Sequence, residues 1–336
     1  MPVNRQILFS SRPGGGRGGW VTEDNFRLVE SPLPSPAEKQ VLVRNHWLSL
    51  DPYMRGRMDE AKSYAKGAEL GQVMVGGTVG QVLESKSPRF GPGDMVVGAL
   101  GWQEYGVSDA GALVKIDTSI APASCYLGIL GMPGVTAWGG LLDIAQPKEG
   151  ETVVVSAASG AVGSVVGQLA KIRGCRAVGI AGGAPKCAYV TGELGFDACI
   201  DYKAGSLYAD LRAAAPRGID VCFENVGGEI FDTVLQLMNP FSRITVCGLV
   251  SQYNLTEPYA VKNLRSVLVN RVRMQGFIVS DRLDLWPRAK AELAGWLKAG
   301  RLRYRECVAQ GLEAAPAAFI GMLRGRNFGK QLVKLI

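Results

Sequence analysis

Thr152-Val153-Val154-Val155-Ser156-Ala157-Ala158-Ser159-Gly160-Ala161-Val162-Gly163-Ser164-Val165-Val166-Gly167-Gln168-Leu169-Ala170-Lys171 is the stretch that decides the fold. Its first five residues form an apolar, β-branched run that reads as a buried strand. Small residues break the run at Ala157, and a helical pattern begins at once after Gly163. Strand, small-residue turn and helix together aim backbone N–H groups and a helix N-terminus at a pyrophosphate. In this turn Gly160 lets the backbone approach phosphates and Gly163 lets the helix pack close to the strand, with Ala161 and Val162 between them. Ala158 stands where the usual G-x-G-x-x-G has its first glycine. An ordinary packing turn would use the same small residues, so the pattern of the rest of the chain decides between the two.

From residue 152 onward, strands and helices alternate. Apolar runs at Thr152–Ser156, Arg176–Ala181, Ala198–Tyr202, Asp220–Glu224, Ile244–Val250 and Met274–Val279 predict six strands. Helical patterns fall at Val162–Arg173, Pro185–Leu194, Leu207–Ala214, Glu229–Met238 and Pro287–Lys298, with a loop and short helix between Val250 and Met274. The expected fold class is therefore α/β, with a six-stranded doubly wound Rossmann domain. The first ~125 residues differ: short alternating runs separated by Gly/Pro/Asp turns such as Phe90-Gly91-Pro92-Gly93-Asp94 predict a small β-barrel-like domain. Gly14–Gly19 reads as a flexible surface loop, and the chain after residue 299 as a return to the first domain.

The composition is that of a globular protein, 47% hydrophobic and 20% charged over 336 residues. No run reaches the ~18 apolar residues of a membrane span. The opening Met1-Pro2-Val3-Asn4-Arg5-Gln6 has no signal-peptide core, so the expected location is cytoplasmic. The seven scattered cysteines include no C-x-x-C and are expected to be reduced. A net charge of +7 admits nucleic-acid binding, but the basic residues are dispersed and no nucleic-acid motif is present. Arg301, Arg303 and Arg305 alternate, which on a strand would put them on one solvated face.

The second predicted strand ends in Gly182-Gly183-Ala184-Pro185-Lys186. The carboxylate that normally receives the ribose hydroxyls of NAD is absent there. A lysine attracts a 2′-phosphate and a carboxylate repels it, so Lys186 argues for NADPH/NADP+; alternatively it is only a solvated lysine. Tyr202, ending the third strand, adds a phenol to the same place.

His46 is the sole histidine and adjoins Trp47; it reads as a packing residue, without the oriented carboxylate of a catalytic triad. Neither catalytic nor structural zinc spacing is present. Metal-free hydride transfer remains, in which the cofactor supplies the chemistry and the protein supplies position and an electrophilic donor. A C=C bond conjugated to a carbonyl suits such a site: hydride reaches the β-carbon, and a hydroxyl or N–H stabilises the charge on oxygen.

The segments Leu50–Met58, Gly71–Val79, Leu130–Ala137, Ala157–Gly163, Glu224-Asn225-Val226-Gly227-Gly228, Val246–Asn254 and Asn327-Phe328-Gly329-Lys330 occur in this order. In them the chain resembles the zinc-independent medium-chain dehydrogenase/reductases over nearly its whole length. The likeness is to the prostaglandin reductase/double-bond reductase branch, and within that to bacterial curcumin/dihydrocurcumin reductases. The resemblance implies a GroES-like β-barrel catalytic domain over residues 1–126, a Rossmann NADP-binding domain over 127–298, and a return to the catalytic domain over 299–336. It also implies a homodimer and an enal or enone substrate, without nucleic acid or membrane. Lys186 matches the 2′-phosphate lysine. Met132, Thr136, Gly182, Tyr202, Asn225, Cys247, Gly248, Ser251 and Asn327 match cofactor-binding positions. Tyr253 matches the catalytic tyrosine beside the substrate carbonyl, and Tyr53 and Tyr64 match substrate-pocket tyrosines. Packing alone would also explain Tyr253 and Tyr53. The loop Leu255–Ala260 is shorter and poorer in proline than in many relatives, and Ser280 stands where some mammalian relatives carry tyrosine, so the substrate lid differs.

The expected activity is therefore NADPH-dependent reduction of the C=C bond of α,β-unsaturated aldehydes and ketones. Within enzymes the alternative is a zeta-crystallin-type quinone reductase, which a panel of quinones and enones separates. Outside enzymes it is an NADP-binding sensor or nucleic-acid-associated protein, which a salt-sensitive gel shift tests.

Overall fold

The structure is a computed structural model that describes residues 3–336. The strands run β1 (Val3–Phe9), β2 (Phe26–Pro32), β3 (Gln40–Ser49), β4 (Thr78–Ser85), β5 (Met95–Gly98), β6 (Tyr105–Asp109) and β7 (Val114–Lys115), with one short helix, α1 (Tyr53–Arg57), among them. Next come α2 (Met132–Trp138), β8 (Thr152–Ser156), α3 (Gly163–Ile172), β9 (Arg176–Ala181), α4 (Ala184–Gly192), β10 (Ala198–Asp201), α5 (Leu207–Ala214), β11 (Ile219–Glu224), α6 (Gly228–Gln236) and β12 (Met238–Val246). The chain closes with α7 (Arg265–Val269), β13 (Arg273–Gly276), α8 (Trp286–Lys298), β14 (Glu306–Gln310), α9 (Ala315–Leu323) and β15 (Lys330–Lys334). It divides into two compact units. The first holds the described residues through Gly128, with Asn254–Thr256 and Glu306–Ile336; the second holds Ile129–Tyr253 and Glu257–Arg305.

In the second unit six parallel strands lie in the order β10-β9-β8-β11-β12-β13. This is the doubly wound arrangement, reversing direction between β8 and β11, and such sheets bind ligands outside the carboxyl ends at that reversal. The strands pack on a core that includes Val154, Ile180, Cys222, Phe231 and Ile244. The strand expected at Ile244–Val250 instead spans Met238–Val246. Pro240, which lacks an N–H for the ladder, and Phe241, at φ +63°, masked its start in the sequence. Its end comes early because the Cys247 and Gly248 N–H groups turn to the Glu224 carbonyl, at 2.9 and 3.2 Å. α2 continues into a π-helical turn over Gly139–Ala145, which no periodicity in the sequence announces.

In the first unit β14, β15, β3, β4, β5 and β7 form one hydrogen-bonded path, and β6 pairs with β3, giving seven strands; β1 and β2 form a separate hairpin. Trp102, stacked on Phe26 at 5.1 Å and edge-on to Phe319, centres its core. His46 lies in β3, where burial lowers its pKa and Arg44 adds to the effect. Arg301, Arg303 and Arg305 are exposed as expected, but their stretch is not a strand.

The Gly14–Gly19 segment is more than a loose surface loop. A Cβ on Gly18, at φ +69°, would lie 2.3 Å from the Leu255 carbonyl oxygen, and the Gly19 N–H donates to the Asn254 carbonyl at 3.0 Å. Only glycine permits that approach in a left-handed conformation. Among the described residues no helix is long and apolar enough to cross a membrane.

Candidate functional site

The phosphate turn forms as its residues dictate. Ala157 takes φ +51°, Ala158 N–H donates to the Ile180 carbonyl at 3.0 Å, and Gly160 N–H donates to the Ala157 carbonyl at 2.9 Å. A Cβ on Gly163 would sit 2.4 Å from the Ala157 carbonyl oxygen, so α3 starts this close to β8 only because residue 163 is glycine. Ala158 fits because its neighbour on β9 is Gly179, whose added Cβ would come within 2.7 Å of the Ala158 methyl.

At the end of β9, Tyr202 packs over Gly182: a Cβ there would lie 2.8 Å from the ring. Lys186 stands in the first turn of α4, its N–H bonded to Gly183 O at 3.0 Å. Two residues missed in the sequence join this corner. Lys203 lies over the Tyr202 ring at 5.8 Å, and Asp201 accepts hydrogen bonds from Gly183 N and Lys203 N at 2.8 and 3.0 Å. Those backbone bonds hold the Asp201 carboxyl below its ordinary pKa. The sequence signal was present as Asp201-Tyr202-Lys203 after an apolar run, but nothing in it said that the run lies beside Gly182.

Glu224 ends β11 across the reversal from Ser156, which ends β8. It is wholly buried. Its Oε1 accepts from Ser156 Oγ at 3.0 Å, Val226 N at 2.5 Å and Gly227 N at 2.7 Å. Asn225 N donates to Ser156 Oγ at 2.8 Å and its Nδ2 to Ser156 O at 2.8 Å. Cys247, Gly248 and Ser251 follow β12 beside this turn; Ser251 Oγ donates to Val226 O at 2.6 Å. Burial, and after it the neighbouring Glu224, pushes the Cys247 thiol up to about 12. Tyr253 Oη accepts from Leu249 N at 3.3 Å and is 3.1 Å from where a Gly248 Cβ would be. On α2, Thr136 is 7% exposed and its buried Oγ1 has no hydrogen-bond partner among the described residues; Met132 opens the same helix, half-buried.

Tyr53, Tyr64 and Asn327 belong to the first unit. Arg57 lies between the two tyrosines, 5.7 Å from one ring and 5.8 Å from the other. Burial, reinforced by Asp51, raises the Tyr53 phenol pKa, whereas Tyr64 is 59% exposed. Lys330 Nζ, also buried, donates to Leu50 O at 2.7 Å and to Asp51 Oδ1 at 2.9 Å. It thereby ties the Asn327–Lys330 segment to the Asp51-Pro52-Tyr53 turn. Asn327 Nδ2 donates to Gly329 O at 2.9 Å. Arg55, fully buried, donates to Asn254 Oδ1, Asp59 Oδ1 and Gly19 O at 3.1, 2.8 and 3.0 Å. Among the described residues no three His, Cys, Asp or Glu side chains group so as to hold a metal ion.

The chain matches the family models described as the N-terminal domain of oxidoreductase, over residues 5–116, and zinc-binding dehydrogenase, over residues 161–295. It is 49% identical to the NADPH-dependent curcumin reductase of Escherichia coli (strain K12), over 99% of this chain and 97% of the relative. It is 47% identical to a 2-alkenal reductase (NADP(+)-dependent) of Nicotiana tabacum, over 98% of this chain and 97% of the relative. The solved structure of CurA in complex with NADPH from Vibrio vulnificus superposes with a TM-score of 0.93 at 48% identity, covering 99% of both chains. A two-unit oxidoreductase with a Rossmann-type sheet is the class these features define. The chain belongs to the double-bond reductase branch of the medium-chain dehydrogenase/reductases.

Proposed function

We propose that this chain is an NADPH-dependent reductase of the C=C bond in α,β-unsaturated aldehydes and ketones. The observation that carries the cofactor half is the corner at the end of β9. It has a glycine cradle at Gly182 under Tyr202, with Lys203 above the ring and Lys186 opening α4. Asp201, the carboxylate at this corner, accepts from two backbone N–H groups, and the lysines supply the positive charge that would attract a 2′-phosphate. The buried, unpartnered Thr136 hydroxyl also fits a polar cofactor. Ala158, Gly160, Ala161, Val162 and Gly163 would hold the pyrophosphate. Met132, Thr136, Asn225, Cys247, Gly248, Ser251 and Asn327 would hold the remainder.

When bound, NADPH supplies a hydride. Tyr253 donates its phenol hydrogen to the substrate carbonyl oxygen, where negative charge develops as the β-carbon is reduced. The Leu249 N–H directed at the phenol oxygen supports that polarity. Tyr53, Tyr64 and the interposed Arg57 form an aromatic and cationic surface suited to a conjugated carbonyl compound. The proposed reaction needs no metal, because its donor chemistry rests on a phenol.

We assign residues 1–126 and 299–336 to a GroES-like catalytic domain and residues 127–298 to the NADP-binding domain. β13 is the sheet's edge strand, exposed throughout, and exposed Leu264, Leu268 and Met274 lie in or near it. This favours edge-to-edge pairing in a homodimer. The seven cysteines, none of them joined in a disulfide, fit a reducing, cytoplasmic setting, and the partner proposed is a small-molecule enal or enone rather than nucleic acid or membrane.

The test is cofactor oxidation, followed spectrophotometrically, with an alkenal, benzylideneacetone and curcumin, with NADH run in parallel. Turnover with NADPH giving the saturated carbonyl compound is the expected outcome. Inertness to all three with turnover of quinones would overturn the C=C assignment.

A further inference from the structure

Glu224 is a fully buried carboxylate with no cationic side chain bonded to it among the described residues. Burying a charge is expensive unless hydrogen bonds satisfy it. Here three donors converge on one oxygen: Ser156 Oγ, Val226 N and Gly227 N. The other oxygen accepts from the Cys222 thiol, at 3.8 Å. Such an arrangement fixes the backbone of the turn after β11, because the three buried donors can be satisfied only while the turn keeps them aimed at the one oxygen they share.

That turn is itself a template. Glu224 O receives Cys247 N and Gly248 N, Asn225 O receives Val250 N at 3.1 Å, and Val226 O receives Ser251 N at 2.9 Å. Tyr253 stands at the end of that ladder, its own N–H directed at Val250 O at 3.4 Å. Tilting the Glu224 turn therefore moves Asn225 and the Tyr253 arm together. Ser156 Oγ links the unit to β8 by accepting from Asn225 N while donating to Glu224. All of this lies at the reversal of the sheet, where doubly wound folds bind ligands.

We propose that Glu224, acting with Ser156, is a positioning residue for the reduction, setting the cofactor-contacting Asn225 and the phenol of Tyr253 as one rigid piece. The inference rests on the roles proposed above for Asn225 and Tyr253. A displacement of about 1 Å at a reacting group can lower turnover by about 10².

The experiment compares Glu224→Gln, Glu224→Ala and Ser156→Ala by kcat, by NADPH Kd from fluorescence titration, and by the isotope effect with 4-deuterated NADPH. Gln retains an acceptor at Oε1 and the side-chain volume, so it should stay within about threefold of wild type in kcat. Ala should lose about tenfold or more, with a raised NADPH Kd and an enlarged isotope effect. Where Glu224→Ala does not fold, Ser156→Ala, which removes one donor and one acceptor, should lower kcat by several-fold at unchanged circular dichroism. Folded Ala variants with wild-type kcat and Kd overturn the inference, as does a Gln variant as slow as Ala. Tyr253→Phe is run beside them. If it is slow while the Ala variants are normal, only the positioning inference falls; if it is as fast as wild type, the Tyr253 reading falls first.

Discussion

Asp201 and Glu224 end strands on opposite sides of the sheet's reversal, and each accepts two backbone N–H groups, Asp201 from the turns after β9 and β10 and Glu224 from the turn after β11. Their protonation behaviour is opposite. Backbone hydrogen bonds lower the Asp201 pKa at a solvated corner, whereas burial raises that of Glu224 despite three donors. The corner proposed above for the adenine-ribose is thus built from exposed side chains on a solvated frame, with Tyr202 44% exposed. The end proposed for the reaction is built from backbone held by an enclosed carboxylate. On the proposed roles, the first arrangement should tolerate change and select by charge, and the second should position atoms and tolerate little.

The largest effect expected from breaking this contrast is at the reaction end. Tyr253→Phe should lower kcat by about 10² with little change in NADPH Kd, in line with loss of one donor to a developing oxyanion; steady-state kinetics with an alkenal checks it, and a variant within threefold of wild type rejects the role. Lys186→Ala should raise the KM for NADPH by about tenfold, the lower end for a charge-assisted hydrogen bond once solvent screening is allowed for. NADH should be nearly unaffected, and equal changes with both cofactors would reject phosphate selection.

Glycine substitutions sharpen the comparison further. Gly163→Ala drives a Cβ into backbone at 2.4 Å and should cost about 1–3 kcal/mol in a denaturant titration. Gly182→Ala meets only the movable Tyr202 ring and Lys203 stem, so it should leave stability within about 0.5 kcal/mol and raise the NADPH KM a few-fold. Equal stability losses would mean that the solvated corner is as rigid as the phosphate turn.

The smallest effect is in pH dependence. A carboxyl raised by folding contributes stability that is full below its unfolded pKa and lost as pH rises through the folded one; a lowered carboxyl does the reverse. Relative to Glu224→Gln, wild type should therefore lose stability as pH rises from the ordinary carboxyl value of 4.5. Relative to Asp201→Asn, it should lose stability as pH falls through and below 3.8. Thermal melts across that range should give slopes of opposite sign, and slopes of the same sign would erase the distinction between the two carboxylates.

Much of the sheet was legible because its signals are local. Thr152–Ser156 and Arg176–Ala181 occupy the stretches their apolar runs predict. β12 was misjudged because Pro240 and Phe241 interrupt its pattern, and because its end is set by a distant carbonyl. Lys186, Tyr202 and Tyr253 were legible as residue types at informative places. Lys203, Arg57 and Glu224 were not, since each matters through partners on other elements.

Periodicity, turn chemistry and the missing carboxylate after β9 were determined by the sequence alone, through steric and electrostatic preferences acting over a few residues. Tertiary structure alone decided that Gly18 makes room for Leu255, that Arg57 stands between Tyr53 and Tyr64, and that Glu224 binds three donors. Side-chain hydrogen bonds and close backbone approaches are set by where strands and turns meet, and residues such as Ser156 and Glu224, 68 positions apart, carry no local mark of meeting.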